Sequence, residues 1–340
     1  MPTIRAALLA AALAVGLALP ASADDAAFYS GKTVRIICGF GEGGGYDLYA
    51  RFAAEHLGKF IPGKPTVIVQ NMTGAGSKRA AKYVYSVAPK DGTVLGIVSQ
   101  SMPHDAVTDP SESDYDVNKF TWIGRLNANV DVGVSWHTSA VKTLEDAKKR
   151  QAVVGATGAT SPSVQVPKAL NAVIGTQFKI VQGYKGSAEI SLAMERGEVD
   201  MVSSIGLPGI KSTRPQWLSE KKVNFIYQTA VNPHPELPGV PTVGQLGNTP
   251  EEKAILRFVA SSADLGRYLL GPPEMEASRL ATLRKAFADM MADAGVQADA
   301  AKRNLDLSAL PPDQLAALAA DVMATPKPVV ERIKAIFEAK

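Results

Sequence analysis

Short apolar runs alternate with amphipathic stretches along most of the chain. Residues 34–38 form a β-branched apolar run, as expected of a strand covered on both faces. Gly39, Gly41, Gly43, Gly44 and Gly45 follow, and then Leu48, Phe52, His56 or Leu57, and Phe60 recur at the spacing of one helix face. The same grammar repeats: a strand at 66–69, a small-residue loop at 71–77, a helix at 78–87 and a strand at 93–98 that ends in Ser99-Gln100-Ser101. The polar, acidic stretch 111–120 is predicted as a surface loop. A second series holds strands at 130–134, 152–155, 178–181, 198–202 and 224–229, with helices at 143–150, 164–174 and 188–196. Gly197 is placed to stop the last of these. Residues 232–241 read as an extended connector and 255–262 as a strand. Helices are predicted near 276–294, 312–323 and 327–338.

Alternating β and α units predict parallel, doubly wound sheets, with ligands at the carboxyl ends of the strands. Small and hydroxyl residues gather at those ends here: Phe40–Asp47, Thr73–Ser77, Ser99–Ser101, Thr157–Ser163, Tyr184–Ser187 and Ser203–Ser204. The expected architecture is two α/β lobes facing a shared cleft. Residues 24–127 and 230–340 form the first lobe and 128–229 the second, with crossings near 125–130 and 228–232.

The glycine turn predicts an anion site. Its bare backbone admits a ligand, and the free N–H groups of the following helix point into it. Asp47 is placed to cap that helix. Glu42 has no evident role, because a carboxylate beside an anion site is repulsive unless it points away. Gly39-Phe-Gly-Glu-Gly-Gly44 also matches the dinucleotide fingerprint. That reading needs an acid at the end of the next strand, where Gln70 and Asn71 stand instead. No Gly-Lys-Ser/Thr follows the glycines, so a Walker loop is excluded.

Residues 1–23 set the expected compartment. Arg5, the apolar run 6–19 and Ala21-Ser22-Ala23 make a cleavable secretory signal peptide. Export argues against a nicotinamide cofactor, and no cofactor is expected. Without Arg5 the chain carries 35 basic against 33 acidic residues. The basic residues are scattered, which argues against nucleic acid as a partner. The single cysteine, Cys38, rules out an internal disulfide. No nucleophile elbow, no H-E-x-x-H and no paired cysteines occur, and the four histidines stand apart in sequence. No catalytic residue and no metal ligand is assigned.

The ordered set Val34-Arg-Ile-Ile, Gly43-Gly-Gly45-x-Asp47-x-x-Ala50-Arg51, Gly74-Ala-Gly76 and Ala88-Pro-Lys-Asp-Gly92-Thr-Val-Leu-Gly96 resembles the Bug, or tricarboxylate-binding, family. Gly183-Tyr-Lys-Gly186, Gly197-Glu-Val-Asp200, Leu237-Pro-Gly-Val-Pro-Thr242 and Pro272-Pro273 extend the match across nearly the whole chain. The resemblance implies a type II periplasmic binding protein serving a tripartite tricarboxylate transporter, a monomer whose partners are a small organic carboxylate and the membrane permease subunits. It also implies that strand-end loops hold the carboxylate through backbone amides, hydroxyls and water. The candidates are Phe40, Gly41, Gly43, Gly44, Asp47, Thr73, Gly74, Gly76, Ser77, Ser99, Gln100, Thr157, Gly158, Ser161, Ser163, Tyr184, Lys185, Ser187 and Ser204.

The chain departs from the family pattern where relatives carry Phe-Asp-Ser after the 199–202 strand and it has Ser203-Ser204-Ile205. The acid that could meet a ligand amine is missing there. Lys78, Lys185 and Arg267 are cationic candidates for a second carboxylate by position only, and each reads first as a solvated surface residue. The alternative is an envelope sensor using the same fold without a permease; a secreted enzyme is disfavoured, because no catalytic motif occurs, and the protein is read as not an enzyme.

Overall fold

The computed structural model describes residues 21–339. Residues 1–20, most of the expected signal peptide, lie outside them. A helix at Ala21–Tyr29 precedes the first strand. Among the described residues no helix is long and apolar enough to cross a membrane.

Ten strands form two five-stranded sheets. They are β1 (Thr33–Cys38), β2 (Thr66–Asn71), β3 (Val94–Ile97), β4 (Thr121–Asn127), β5 (Asp131–Trp136), β6 (Ala152–Gly155), β7 (Phe178–Val181), β8 (Met201–Gly206), β9 (Val223–Thr229) and β10 (Arg267–Gly271). The first sheet has the order β2-β1-β3-β10-β4 and the second β7-β6-β8-β5-β9. In each, three strands run parallel, as the alternating grammar predicts. One further strand, β10 or β5, is inserted antiparallel to its neighbours. The chain passes from β4 to β5 through residues 128–130, and returns to the first sheet only at Arg267.

Two sequence expectations fail. Residues 255–262 are not a strand but part of a 16-residue helix, Pro250–Leu265. Thr249 caps it and Glu252 reaches back to the Thr249 backbone, a capping box with Pro250 at the first helical position. The run Ile255-Leu-Arg-Phe-Val-Ala buries one helix face, with Ile255, Leu256, Val259 and Ala260 in the core. The strand that lies near it is β10, which begins with a charged residue and was not anticipated. Nor is 111–120 a surface loop. Tyr115, Val117 and Phe120 are buried in the main apolar cluster with Tyr268 and Trp122.

The helix after the glycine turn, Gly45–Leu57, buries Tyr49, Phe52, Ala53, His56 and Leu57. The C-terminal helix Lys327–Glu338 packs against Pro162–Ile174, Pro250–Leu265 and Met102–Thr108. It therefore touches elements attached to both sheets.

Candidate functional site

Three helices begin at one cavity between the two sheets, and none carries a side-chain cap. Gly45–Leu57 follows β1 and has Gly44 as its N-cap. Pro162–Ile174 follows β6 with Ser161 as its N-cap, and Ser187–Glu195 follows β7 with Gly186. Two helices elsewhere, Leu144–Lys149 and Pro250–Leu265, are closed by capping boxes on Thr143 and Thr249, while others, such as Ala277–Ala292, also start without a side-chain cap. Helix starts leave backbone N–H groups without intrahelical partners. Here those groups, with the positive end of each helix dipole, face a common space.

The cavity offers about 40 Å³ to the centre of a water-sized sphere, several times what a single water needs. Phe40, Gly44, Thr157, Ser161, Ser163, Ser187 and Ser204 line it, seven of the sequence candidates. Thr157, Ser161 and Ser163 form a hydroxyl cluster. Thr157 Oγ1 is 2.7 Å from Ser161 Oγ and 3.1 Å from Ser163 Oγ, and the two serine oxygens are 2.7 Å apart. Thr157 N–H donates to Ser163 Oγ at 3.0 Å, which fixes the loop against the helix start.

Other candidates hold the lobes together or support the turn. Gly41 N–H donates to the Lys185 carbonyl at 2.8 Å, and Thr160 Oγ1 donates to the Ala75 carbonyl at 2.6 Å, both across the cleft. Gly158 lies so close to Gly76 that a Cβ added to it would stand 2.2 Å from the Gly76 nitrogen. Gly76 itself has φ +62°. Both glycines are therefore required by the approach of the two loops.

Asp47 does not line the cavity. It is buried, and its carboxylate accepts from Gly43 N–H, Arg51 Nε and Asn71 Nδ2, each at 2.8 Å. It holds the glycine turn closed from behind. Glu42 is exposed and points toward Arg51, away from the cavity, which removes the expected repulsion.

Gly43 and Gly74 are exposed, Thr73 is half-buried, and none of the three lines the cavity. Gly76, Ser77 and Ser99 border a separate void of about 10 Å³ beside Lys78 and Asp105. Tyr184 packs with the apolar core of the second sheet.

The cationic candidates separate. Lys185 is exposed, as expected. Lys78 is not solvated: its ammonium lies 3.3 Å from Asp105 and 3.6 Å from Asp109. Arg267 is not a surface residue either. It is 3% exposed and lines the cavity, with its guanidinium 3.7 Å from the centre of the Tyr46 ring. Tyr46 also stacks on Phe40, with ring centres 4.2 Å apart. Burial raises the Tyr46 phenol pKa despite the nearby arginine, so it stays protonated, and its Oη accepts from Gln100 N–H at 2.8 Å.

Asp131 is a cavity residue that the sequence reading missed, together with Tyr46. It opens β5 and is 2% exposed. It accepts from Ser204 Oγ at 2.7 Å, from Gln100 Nε2 at 3.2 Å and from Asn129 Nδ2, and it pairs with Arg267 Nη2 at 3.4 Å. Gln100 Oε1 in turn accepts from Arg267 Nη1. Gln100 thus joins the site by orienting two charges rather than by lining the cavity. The available signals were a carboxylate inside the apolar run Val130-Asp-Val-Gly-Val and an arginine directly after Gly266.

His56 is also less isolated than its sequence position indicates. It bonds Asp299 at 2.9 Å, and ligand atoms of Glu55, His56 and Asp299 lie within 4.8 Å of one another. Arg303 neutralises both carboxylates, with Glu55 at 2.8 and 2.9 Å and Asp299 at 2.8 Å, so the group is built as an ion-pair network.

No family model matches the chain. A curated relative, a UPF0065 protein from the gbd 5' region of Cupriavidus necator, is 25% identical over 346 residues, covering 97% of this chain and 96% of its own. Among solved structures, the periplasmic binding protein BugD is similar with a TM-score of 0.68 and 20% identity, over 91% of this chain and 98% of its own. MatC from Rhodopseudomonas palustris, solved with bound malate, has a TM-score of 0.67 and 21% identity, over 90% and 99%. The chain has the two-lobed fold of these periplasmic binding proteins, the fold that its sequence resemblance implies.

Proposed function

We propose that the protein is a periplasmic solute receptor of the Bug type. It captures a small organic carboxylate between its two sheets and presents the closed form to the permease of a tripartite tricarboxylate transporter. The observation that carries this reading is the convergence of three uncapped helix starts and the Thr157-Ser161-Ser163 hydroxyl cluster on one cavity. Each helix start contributes about 0.3–1 kcal/mol toward an anion when exposed, and more in a partly buried site. Several together with hydroxyl donors reach the micromolar range, about −8 kcal/mol. The malate bound in MatC and the overall similarity to BugD support the same class.

Loops from both sheets line the cavity, so a ligand there favours the closed arrangement over an open one by touching both sides. Phe40 and Gly44 come from the first sheet, and Thr157, Ser187 and Ser204 from the second. A thermal-shift screen of mono-, di- and tricarboxylates tests the proposal. A melting temperature that rises with one acid, without turnover of that acid, is the expected result. A screen without a stabilising carboxylate would overturn the reading, and turnover of the hit would make the protein an enzyme.

A further inference from the structure

The loop after β2 carries backbone strain at the place where it meets the other lobe. Four consecutive residues have positive φ: Gly74 at +137°, Ala75 at +46°, Gly76 at +62° and Ser77 at +84°. Glycine takes such values freely, but a left-handed residue with a Cβ is disfavoured by about fivefold to thirtyfold. Ser77 is supported within its own lobe: it is 1% exposed, and its Oγ accepts from Ser99 N–H at 3.1 Å. Ala75 is exposed. Its carbonyl closes the turn on Lys78 N–H, and it also accepts from Thr160 Oγ1, 2.6 Å away on the facing lobe.

The facing loop fits the bent form. Gly158 packs on the Gly76 backbone, and a Cβ on Gly76 would stand 2.6 Å from Thr160 Oγ1 and 2.8 Å from the Ser161 nitrogen. Strained backbone persists only where its surroundings hold it, and it gathers at clamps and switches. Here the surroundings of Ala75 and Gly76 belong to the other lobe. Thr160 also adjoins the hydroxyl cluster. The Ser161 N–H and Oγ both donate to the Gly158 carbonyl, at 2.9 and 2.8 Å, so residues 158–161 form one closed turn.

We infer that Thr160 and Ala75 form a spring-loaded catch between the lobes. Closure presses residues 74–77 into the left-handed form, and the Thr160 bond and the Gly158 contact hold them there. The bond favours the closed arrangement and the left-handed Ala75 opposes it. The contact that fastens the lobes therefore also stores the push that reopens them. The inference rests on the lobe closure of the receptor reading above and assigns no ligand. A ligand at the hydroxyl cluster fixes the 158–161 turn and sets the catch, which makes the strain a lever on affinity and release.

Ala75→Gly and Thr160→Val test the catch, because they move the closing equilibrium in opposite directions. The first removes the left-handed penalty and keeps the carbonyl; the second removes the donor and keeps the shape. The ligand-free readout is hydrogen exchange of the Gly41 amide by NMR. That N–H donates across the cleft to the Lys185 carbonyl at 2.8 Å, and its protection follows the closed population. Exchange is expected to slow about fivefold in Ala75→Gly and to quicken about fivefold in Thr160→Val, the scale of one strained residue or one hydrogen bond. Titration of malate, succinate and adipate, by calorimetry and stopped flow, gives the second readout. Tighter binding with slower release is expected in Ala75→Gly, and the reverse in Thr160→Val. Equal Gly41 exchange in the three proteins, or a shift of both variants in one direction, would overturn the catch. The expected exchange pattern with no acid bound by any of them would support the catch and overturn the receptor reading.

Discussion

Asp47 shows how one side chain can shape the cavity between the sheets without lining it. Its carboxylate collects three donors, one of them the Gly43 backbone N–H, and so fixes the turn that exposes the Gly45 helix start. Replacing it leaves those donors unsatisfied in a buried place, a loss of the 1–3 kcal/mol kind. Asp47→Ala is expected to lower unfolding free energy by about 2 kcal/mol in denaturant melts and to weaken carboxylate binding as the turn loosens. Unchanged stability would remove Asp47 from this role. The glycines and the hydroxyls were legible in the sequence because turn chemistry and helix starts are local, whereas Asp47 was expected to cap the helix and instead holds the turn from behind. Asp131 was not legible, and Arg267 was named only by position and read as a solvated surface residue although it is buried. They are 136 residues apart, and only the pairing of β10 and β5 into separate sheets at the cleft brings them together.

Among the elements, Pro250–Leu265 teaches the same lesson from the other side. Its apolar run satisfied the pattern of a short buried strand, and periodicity alone does not separate that from a buried helix segment. Thr249-Pro-Glu-Glu252 was the discriminating signal, since a capping box with proline at the first position starts a helix. The parallel βα units were read correctly because each repeats strand, small-residue loop and amphipathic helix. The inserted strands β5 and β10 carry no such grammar, and β10 went unread.

The short helix Met102–Thr108 makes a prediction of its own. Burial raises the Asp105 carboxyl pKa from 3.8 to about 6, against the opposing effect of Lys78. Burial lowers the neighbouring His104 from 6.5 to about 3, where it bonds Ser261 and packs edge-on to Phe258. Their signs are opposite. Between pH 3.8 and 6 the folded state holds more protons at Asp105, so that group adds stability as pH falls. Between pH 3 and 6.5 the unfolded state holds more at His104, so that group removes it. The Asp105 contribution is on the order of 3 kcal/mol over its window. Asp105→Asn is therefore expected to lose stability more steeply than the wild type between pH 6.5 and 4 in denaturant melts. Parallel profiles for the two proteins would show that Asp105 does not titrate in this way.

At the scale of the molecule, the proposed receptor closes two sheets on a carboxylate held at helix starts from both sides. Gly44 sits where that claim is most exposed. Its φ of −81° and ψ of 169° suit any residue, so a side chain there does not strain the turn. A Cβ would stand 3.3 Å from Ser187 Oγ of the facing sheet, and the rest of a larger side chain would enter the space between the lobes. The decisive measurement is calorimetric titration of the best carboxylate into wild type and Gly44→Leu, with melting curves of both unliganded proteins. Closure on a carboxylate at this point gives micromolar-range binding by the wild type, no measurable binding by Gly44→Leu, and nearly equal melting temperatures. Wild-type affinity retained in Gly44→Leu would contradict it.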